Sequence, residues 1–188
     1  MKDIHTLLNI ATELGFSNIV ADLKRISEKI DNANCPIILP LVGEFSSGKT
    51  TLINALTDSK KLETATKPTT ATIYEVHFGS SECYANVLTE CGEKVKITDL
   101  SELKNDTLAN AKVVTVFDTS GKVPSTTVLV DTPGLSSPDH KHKQTLVDFL
   151  PFADGVLLVS DINQQITKSL TEFISTISLS KRPVYLVL

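Results

Sequence analysis

The strongest chemical signal in the sequence is a segment bounded by glycines at residues 43–50, which reads GEFSSGKT. A glycine, four residues and then Gly-Lys-Thr is the Walker A pattern, in which the N–H groups of a curled loop surround phosphate oxygens. Lys49 would bring a positive charge to the β- and γ-phosphates, and the Thr50 hydroxyl would bind Mg²⁺. We predict a nucleotide-binding loop, with the Glu44 side chain facing solvent, formed by these residues: Gly43, Glu44, Phe45, Ser46, Ser47, Gly48, Lys49, Thr50 and Thr51.

The surroundings of this loop distinguish it from a glycine-rich turn that binds nothing. A short apolar run at 37–42 leads directly into the loop, and helical spacing follows at 50–56. A strand before the loop and a helix after it are the context that the pattern requires.

A second candidate is Asp131, which follows an apolar run and begins the turn Asp-Thr-Pro-Gly. An aspartate in this place can hold Mg²⁺ through a water molecule, as Walker B aspartates do. The Gly134 N–H can contact the γ-phosphate, so the turn can respond to its presence. By themselves these four residues are common turn chemistry. Together with the upstream loop they favour a GTPase over a generic ATPase.

Threonines between the two segments are candidates for a third part of the site. The stretch KPTTAT at 67–72 precedes a β-rich run at 72–78. GTPases use a threonine here, whose hydroxyl completes the Mg²⁺ shell and whose carbonyl orients the attacking water. From the residues alone Thr69 and Thr70 are both candidates, and a loop that merely contains threonines is the alternative interpretation.

Hydrophobic periodicity predicts the elements that position these residues. Residues 4–30 have helical spacing interrupted at Gly15, which predicts a helix or a helical hairpin with one apolar face containing Ile4, Leu7, Leu8, Ala11 and Leu14. We expect an α/β fold: a three-layer P-loop NTPase arrangement with a mainly parallel sheet, an inserted β-rich segment and N-terminal helices. Strands are predicted at 37–42, 72–78, 83–88, 94–98, 113–117, 126–130, 155–160 and 183–188, and helices at 50–56, 100–108, 137–149 and 167–179.

Composition narrows the class of protein further. The chain has 188 residues, of which 41% are hydrophobic and 21% charged, which is typical of a globular domain. The net charge of −4, with thinly spread basic residues, argues against a nucleic-acid partner. The cysteines have no zinc or redox spacing, which indicates a reducing, cytoplasmic location. The start does not resemble a signal peptide, and no apolar run approaches the roughly 20 residues of a membrane-spanning helix.

Four stretches of the chain resemble the dynamin superfamily, specifically its bacterial dynamin-like GTPases. They are GEFSSGKT at 43–50, PTTA at 68–71, VDTPGL at 130–135 and ADGVLLVSDINQ at 153–164. The resemblance covers residues 36–188. It implies that Thr70 is the switch threonine, that Ser46 helps to hold a charge-compensating monovalent cation, and that residues 80–125 are an insertion of extra strands.

The resemblance also implies an activity and partners. It implies hydrolysis of GTP to GDP with Mg²⁺, a homodimer formed through the GTPase domain, and membrane remodelling, with peripheral membrane contact made by regions beyond residue 188. Residues 1–34 would be a neck or bundle-like element, and 35–188 a GTPase domain that is incomplete at its C-terminus. The implied catalytic residues are Lys49, Thr70 and Ser46, and the implied metal ligands are Thr50, Thr70 and, through water, Asp131.

Several departures leave alternatives open. Phe45 stands where eukaryotic dynamins have glutamine, and Leu135 where Ras-like enzymes have a water-positioning glutamine. The arginines, Arg25 and Arg182, offer no arginine finger. The guanine-reading Asn/Thr-Lys-x-Asp motif would follow residue 188, so we expect a truncated domain that binds nucleotide weakly, and a preference for GTP rests on the resemblance. A regulatory or ribosome-associated GTPase outside this superfamily and a nucleotide-binding switch with negligible turnover are the alternatives.

Other polar residues are assigned structural roles. His140 and His142, two positions apart on a predicted helix, point in different directions and do not indicate a metal site. Asp161 and Asn163 follow a strand and are interpreted as loop caps.

Overall fold

The computed structural model describes residues 2–32, 35–58, 72–103, 108, 110–135, 149–163, 167–180 and 182–188. The chain forms two compact units, Met1–Pro36 and Ile37–Leu188. The sequence-based division lay between residues 34 and 35, and the roles given to the two parts remain predictions.

The first unit is a helical hairpin of α1 (Lys2–Glu13) and α2 (Ser17–Asp31). Gly15 ends α1 with a φ of 73°, a conformation that glycine adopts without strain. The Phe16 N–H bonds to the Ala11 carbonyl at 3.0 Å, which closes the helix end. The predicted helical hairpin is confirmed, but its apolar face is only partly buried, because Ala11 is 5% exposed while Leu7 and Leu14 are 53% and 61% exposed.

The second unit contains an eight-stranded mixed sheet with the order β4-β3-β5-β2-β6-β1-β7-β8. β1 pairs in parallel with both β6 and β7, β7 with β8, and β2 with β5. β2 runs antiparallel to β6, and β3 antiparallel to β4 and β5. The strands are β1 (Ile37–Val42), β2 (Ile73–His77), β3 (Tyr84–Thr89), β4 (Lys94–Ile97), β5 (Ala111–Phe117), β6 (Thr127–Asp131), β7 (Val156–Val159) and β8 (Val184–Val187).

The segment predicted as an insertion, residues 80–125, contains β3, β4 and β5. These strands extend the sheet beyond β2, and Gly92 turns the β3–β4 hairpin with a φ of 87°. The predicted helix at 100–108 begins as a 3-10 turn, Leu100–Glu102, in which the Asp99 side chain accepts a hydrogen bond from the Ser101 N–H. Leu103 ends this turn with a ψ of 70°, so the predicted helix is not continuous, and residues 104–107 lie outside the described residues.

Helices cover both faces of the sheet. Neighbouring residues of a strand point to opposite faces, so each face can be identified by the helix that packs on it. On one face α3 (Lys49–Leu56) places Ile53 in the cluster that contains Leu41. On the other face α4 (Lys168–Ser180) places Phe173 in the cluster that contains Val42. The predicted three-layer α/β fold is confirmed. The helix predicted at 137–149 falls almost wholly on residues 136–148, which are not described.

No described helix combines the length and the apolar character needed to cross a lipid bilayer.

Candidate functional site

The strand order brings the candidate residues to one edge of the sheet. β6, β1 and β7 are adjacent and parallel, so their C-terminal ends lie side by side. The loops that leave these ends are 43–48 after β1, 132–135 after β6 and 160–163 after β7. Ligands of open α/β sheets bind at the C-terminal ends of such strands.

Two left-handed residues curl the loop after β1. Ser46 has a φ of 64° and Gly48 a φ of 94°, and the Ser47 N–H bonds back to the Glu44 carbonyl at 3.2 Å. Gly48 is also the residue from which α3 begins. A turn of this kind, in front of a helix N-terminus, directs backbone N–H groups at an anion.

Gly43 is required for a different reason, which is space. A Cβ atom built on Gly43 would lie 2.1 Å from the Val159 carbonyl oxygen and 2.6 Å from the Ser47 Oγ. No side chain fits at those distances, so the glycine lets the loop rest directly on the end of β7.

Lys49 is held at the centre of this loop. Its side chain is buried, and its Nζ donates hydrogen bonds to the carbonyls of Gly43 (3.1 Å) and Glu44 (2.7 Å) and contacts the Ser47 Oγ at 3.5 Å. Burial lowers the pKa of Lys49, while the nearby carboxylates of Asp131 and Glu44 act in the opposite direction. The lysine therefore places a cationic group within reach of any anion that the loop encloses.

Asp131 and Thr50 meet beside the loop. The Thr50 Oγ1 donates to the Asp131 Oδ2 at 2.6 Å. Burial raises the pKa of Asp131, and the Thr50 hydrogen bond and the Lys49 charge oppose that rise. The second oxygen, Oδ1, is buried and has no hydrogen-bond partner among the described residues.

This arrangement fits a magnesium ion. A buried carboxylate oxygen without a partner is costly unless a cation or an ordered water pairs with it. Mg²⁺ is bound in nucleotide sites by few protein oxygens together with phosphates and waters. Thr50 and Asp131 supply such oxygens, and the described part of the chain contains no larger cluster of carboxylate, histidine or cysteine ligands.

The loop after β6 is fastened to the loop after β1. The Thr132 Oγ1 donates to the Leu41 carbonyl at 2.7 Å, and the Leu135 N–H donates to the Gly43 carbonyl at 3.1 Å. A Cβ on Gly134 would lie 2.8 Å from the Phe45 nitrogen, so this close approach also requires glycine. The Leu135 side chain is buried in the apolar cluster under α4, where it cannot orient a water molecule.

The structure thus brings together the predicted loop residues 43–50, Asp131 and Gly134. Thr51 is exposed on the first turn of α3. Thr70 and the rest of the segment at 67–71 lie outside the described residues, as do His140 and His142. The metal and catalytic roles of Thr70, and the cation-binding role of Ser46, stay predictions.

The Glu44 side chain, predicted to face solvent, is instead buried. It is 7% exposed rather than facing solvent, and its Oε1 accepts a hydrogen bond from the Thr167 hydroxyl. Thr167 was not among the predicted site residues. A threonine just before a helical pattern indicates a helix cap, which Thr167 is, but no local pattern reveals a partner so distant in the chain. The loop-cap interpretation of Asp161 is confirmed by its bond from the Asn163 N–H at 2.9 Å.

The sheet order and the loop geometry define the class as a P-loop NTPase fold. A family model described as the dynamin family matches residues 39–188, and the chain belongs to this family. The alternative of a GTPase outside the dynamin superfamily is therefore excluded.

Relatives of known sequence include a dynamin-like protein. The chain is 28% identical over 193 residues to an uncharacterized protein in the xynA 3′ region of Caldicellulosiruptor sp. (strain Rt8B.4), covering 97% of this chain and 46% of that protein. It is 23% identical over 154 residues to dynamin-like protein A of Bacillus subtilis (strain 168), covering 80% of this chain and 13% of the relative. A probable transmembrane GTPase, FZO-like and chloroplastic, of Arabidopsis thaliana is 23% identical over 83% of this chain and 15% of its own length.

Solved structures share the fold. Two structures of an oligomerised bacterial dynamin pair, described as providing a mechanism for long-range sensing and tethering of membranes, superpose with TM-scores of 0.66 and 0.62. Sequence identities are 21% and 17%, and the matches cover 91% and 90% of this chain and 28% and 27% of those chains. The chain thus spans less than half the length of each of these relatives.

Proposed function

We propose that this chain is the nucleotide-binding part of a dynamin-like protein that binds and hydrolyses GTP. The observation that carries the proposal is the meeting of three groups at one edge of the sheet: the Lys49 ammonium inside the curled loop, the Thr50 hydroxyl and the Asp131 carboxylate bonded to it. Membership of the dynamin family supports GTP as the nucleotide.

The residues of the loop perform binding and charge neutralisation. Backbone N–H groups between Gly43 and Thr50 surround the phosphates, and the Lys49 ammonium, which is positioned by the loop carbonyls, also contacts a phosphate oxygen. Thr50 and, through a water, Asp131 would hold Mg²⁺, which would supply positive charge to neutralise the phosphates. Catalysis of this kind depends on positioning and electrostatic stabilisation. Thr70 is the proposed residue that orients the attacking water, and Ser46 the proposed ligand of a monovalent cation.

The loop after β6 acts as the sensor of the γ-phosphate. Gly134 lies against Phe45, and the Leu135 N–H is bonded to the Gly43 carbonyl, so the two loops are in direct contact. A phosphate that attracts the Gly134 N–H would therefore shift both loops together. We propose that this shift controls dimerisation of the GTPase domain and, in the full-length protein, contact with a membrane surface. The bacterial dynamin pair, which is oligomerised, supports self-association.

Phosphate release tests the enzymatic part of the proposal. The full-length protein is assayed with GTP and Mg²⁺, beside Lys49→Ala and the matched control Lys94→Ala, which removes an exposed lysine from β4. Lys49→Ala should reduce turnover by about 100-fold or more, because it removes a preorganised charge at the phosphates, while Lys94→Ala should equal the wild type. Equal rates in all three proteins would contradict the proposal.

The same proteins separate an enzyme from a switch with negligible turnover. A switch would bind labelled GTP in a Lys49-dependent manner but release phosphate no faster than Lys49→Ala.

Competition with ATP in the binding experiment tests the preference for guanine. Sedimentation of the wild type with GTP and with GDP tests the proposed dimer, which should form preferentially with the triphosphate.

A further inference from the structure

The Glu44 carboxylate connects the loop at residues 43–48, which we call the phosphate loop, to the N-terminus of α4. Its Oε1 accepts a hydrogen bond from the Thr167 hydroxyl, across 123 positions of sequence. Its other oxygen, Oε2, is buried with no hydrogen-bond partner among the residues that the structure describes. Glu44 is 7% exposed and the bond is partly buried, so this is not a surface pair.

A buried carboxylate is unexpected in a loop that encloses phosphates. Its negative charge lies in the same loop as the anion, and like charges disfavour one another in a site with little solvent. The Glu44 carboxylate acts on the Lys49 ammonium, and Lys49 is the group that a phosphate would engage. The carboxylate therefore has a role other than binding the ligand. Its contact with Thr167 indicates that this role is to link the loop to α4.

The contacts form a continuous path from the loop to the helix. The Glu44 carbonyl accepts from the Lys49 Nζ at 2.7 Å, so a shift of Glu44 would shift an atom that positions the lysine. The Thr167 Oγ1 also accepts from the Leu170 N–H at 3.2 Å, and the Thr171 N–H bonds to the Thr167 carbonyl at 3.1 Å. Leu170 is part of the apolar cluster that fixes α4 to the sheet.

We propose that Glu44 and Thr167 are a positioning pair, an inference that rests on the proposed function. The pair sets the affinity of the phosphate loop for nucleotide, and it couples nucleotide binding to the first turn of α4. Because coupling between two sites is reciprocal, a contact that strengthens nucleotide binding must in turn be strengthened by the nucleotide. The pair does not touch the reacting atoms, so it acts through the backbone of Glu44.

A double-mutant cycle tests the pairing in the full-length protein, with fluorescently labelled GDP and Mg²⁺ as the probe. Glu44→Ala and Thr167→Ala should each weaken binding by about tenfold, as expected for a hydrogen bond to a charged group. The double variant should bind no more weakly than either single variant. Glu44→Gln and Thr167→Ser keep an acceptor and a donor and should restore most of the binding that the alanine variants lose. The matched control is Ser175→Ala, an exposed change on the same helix that does not contact Thr167.

Hydrogen exchange at the Leu170 amide provides a readout that a purely structural contact would not change. Addition of GDP should slow this exchange in the wild type and in Thr167→Ser. It should not slow it in Glu44→Ala, which keeps the helix cap but loses the link. If the alanine variants unfold, the wild-type protein alone tests the inference. A rate of exchange at its Leu170 amide that GDP does not change overturns the inference.

The outcomes separate this inference from the proposed function. If the wild type binds no guanine nucleotide, both fail together. If it binds GDP but Glu44→Ala and Thr167→Ala bind equally well, or if their effects simply add, only the positioning pair is wrong. Tighter binding by both Glu44→Ala and Glu44→Gln would show that the carboxylate acts only as a repelling charge, which also overturns the inference.

Discussion

At the scale of single residues, the two glycines of the phosphate loop serve different physical needs. Gly48 adopts a φ of 94°, which a residue with a side chain rarely does, so its role is conformational. Gly43 is needed because the Val159 carbonyl occupies the space of a Cβ atom. Ser46 shows that the loop also uses a left-handed residue that is not glycine, with a φ of 64°.

The crowding at Gly43 predicts a large effect of one added methyl group. Gly43→Ala should destabilise the protein by about 1–3 kcal/mol, as overpacked sites do, and should abolish binding of labelled GDP because the loop must move away from β7. Gly121→Ala is the matched control, since a Cβ there meets nothing within 4 Å. Urea unfolding and GDP titration measure both effects, and a Gly43→Ala protein that binds normally would contradict the geometry.

His77 predicts a pH dependence of stability. Burial lowers the pKa of His77 below its ordinary value of 6.5. The unfolded chain therefore takes up this proton first as the pH falls, and stability present above pH 6.5 is lost as the pH falls through the lower folded value. His77→Phe keeps the stack on Phe117, whose ring centre is 4.9 Å away, and removes the titration.

The measurement for His77 is the difference in Tm between about pH 7.5 and about pH 5.5, the range in which histidine titrates. This difference should be smaller in His77→Phe than in the wild type. The same difference in both proteins would mean that His77 does not contribute to acid sensitivity.

At the scale of elements, the loop between β5 and β6 closes the C-terminal end of α3. The Ser120 Oγ donates to the Leu56 carbonyl at 2.8 Å, and the Lys122 Nζ contacts the carbonyls of Ala55 (3.2 Å) and Thr57 (3.4 Å). A cation at a helix C-terminus satisfies carbonyls that have no partner within the helix. The segment predicted as an insertion therefore also stabilises the helix that begins in the phosphate loop.

This cap predicts the loss of stability that follows from removing one hydroxyl. Ser120→Ala should destabilise the protein by about 1–2 kcal/mol, because it leaves the Leu56 carbonyl without its donor in a buried place. Thr119→Ala changes an exposed neighbour and should cost less than about 0.5 kcal/mol. Chemical denaturation of both variants tests the difference, and equal stabilities would show that the Ser120 bond contributes nothing.

At the scale of the whole molecule, the sheet of the second unit separates two apolar clusters that serve the same site. Leu41 and Ile53 pack on the α3 side, and Val42 and Phe173 on the α4 side. Because Leu41 and Val42 are consecutive residues of β1, the strand that leads into the phosphate loop is fixed from both faces. The strand that positions the site is therefore packed on both of its faces.

The burial of Phe173 predicts how much the packing of α4 contributes to the free energy of unfolding. Phe173 is 1% exposed, and Phe173→Ala should destabilise the protein by about 3–5 kcal/mol through lost burial and a cavity. Ile174→Ala changes the next residue of the same helix, which is 39% exposed, and should cost far less. If both variants unfold at the same denaturant concentration, α4 is not held to the sheet as the structure indicates.

Local patterns were enough to predict the curled loop at 43–48, the eight strands and the helix α3 that follows the loop. A strand, a glycine-bounded loop and a helix depend on residues close together in sequence, so their signals survive without tertiary structure. The burial of Glu44, its bond to Thr167 and the crowding of Gly43 by Val159 were not predictable in this way. They arise where residues far apart in sequence meet, and the pairing of β1 with β6 and β7 decides which residues those are.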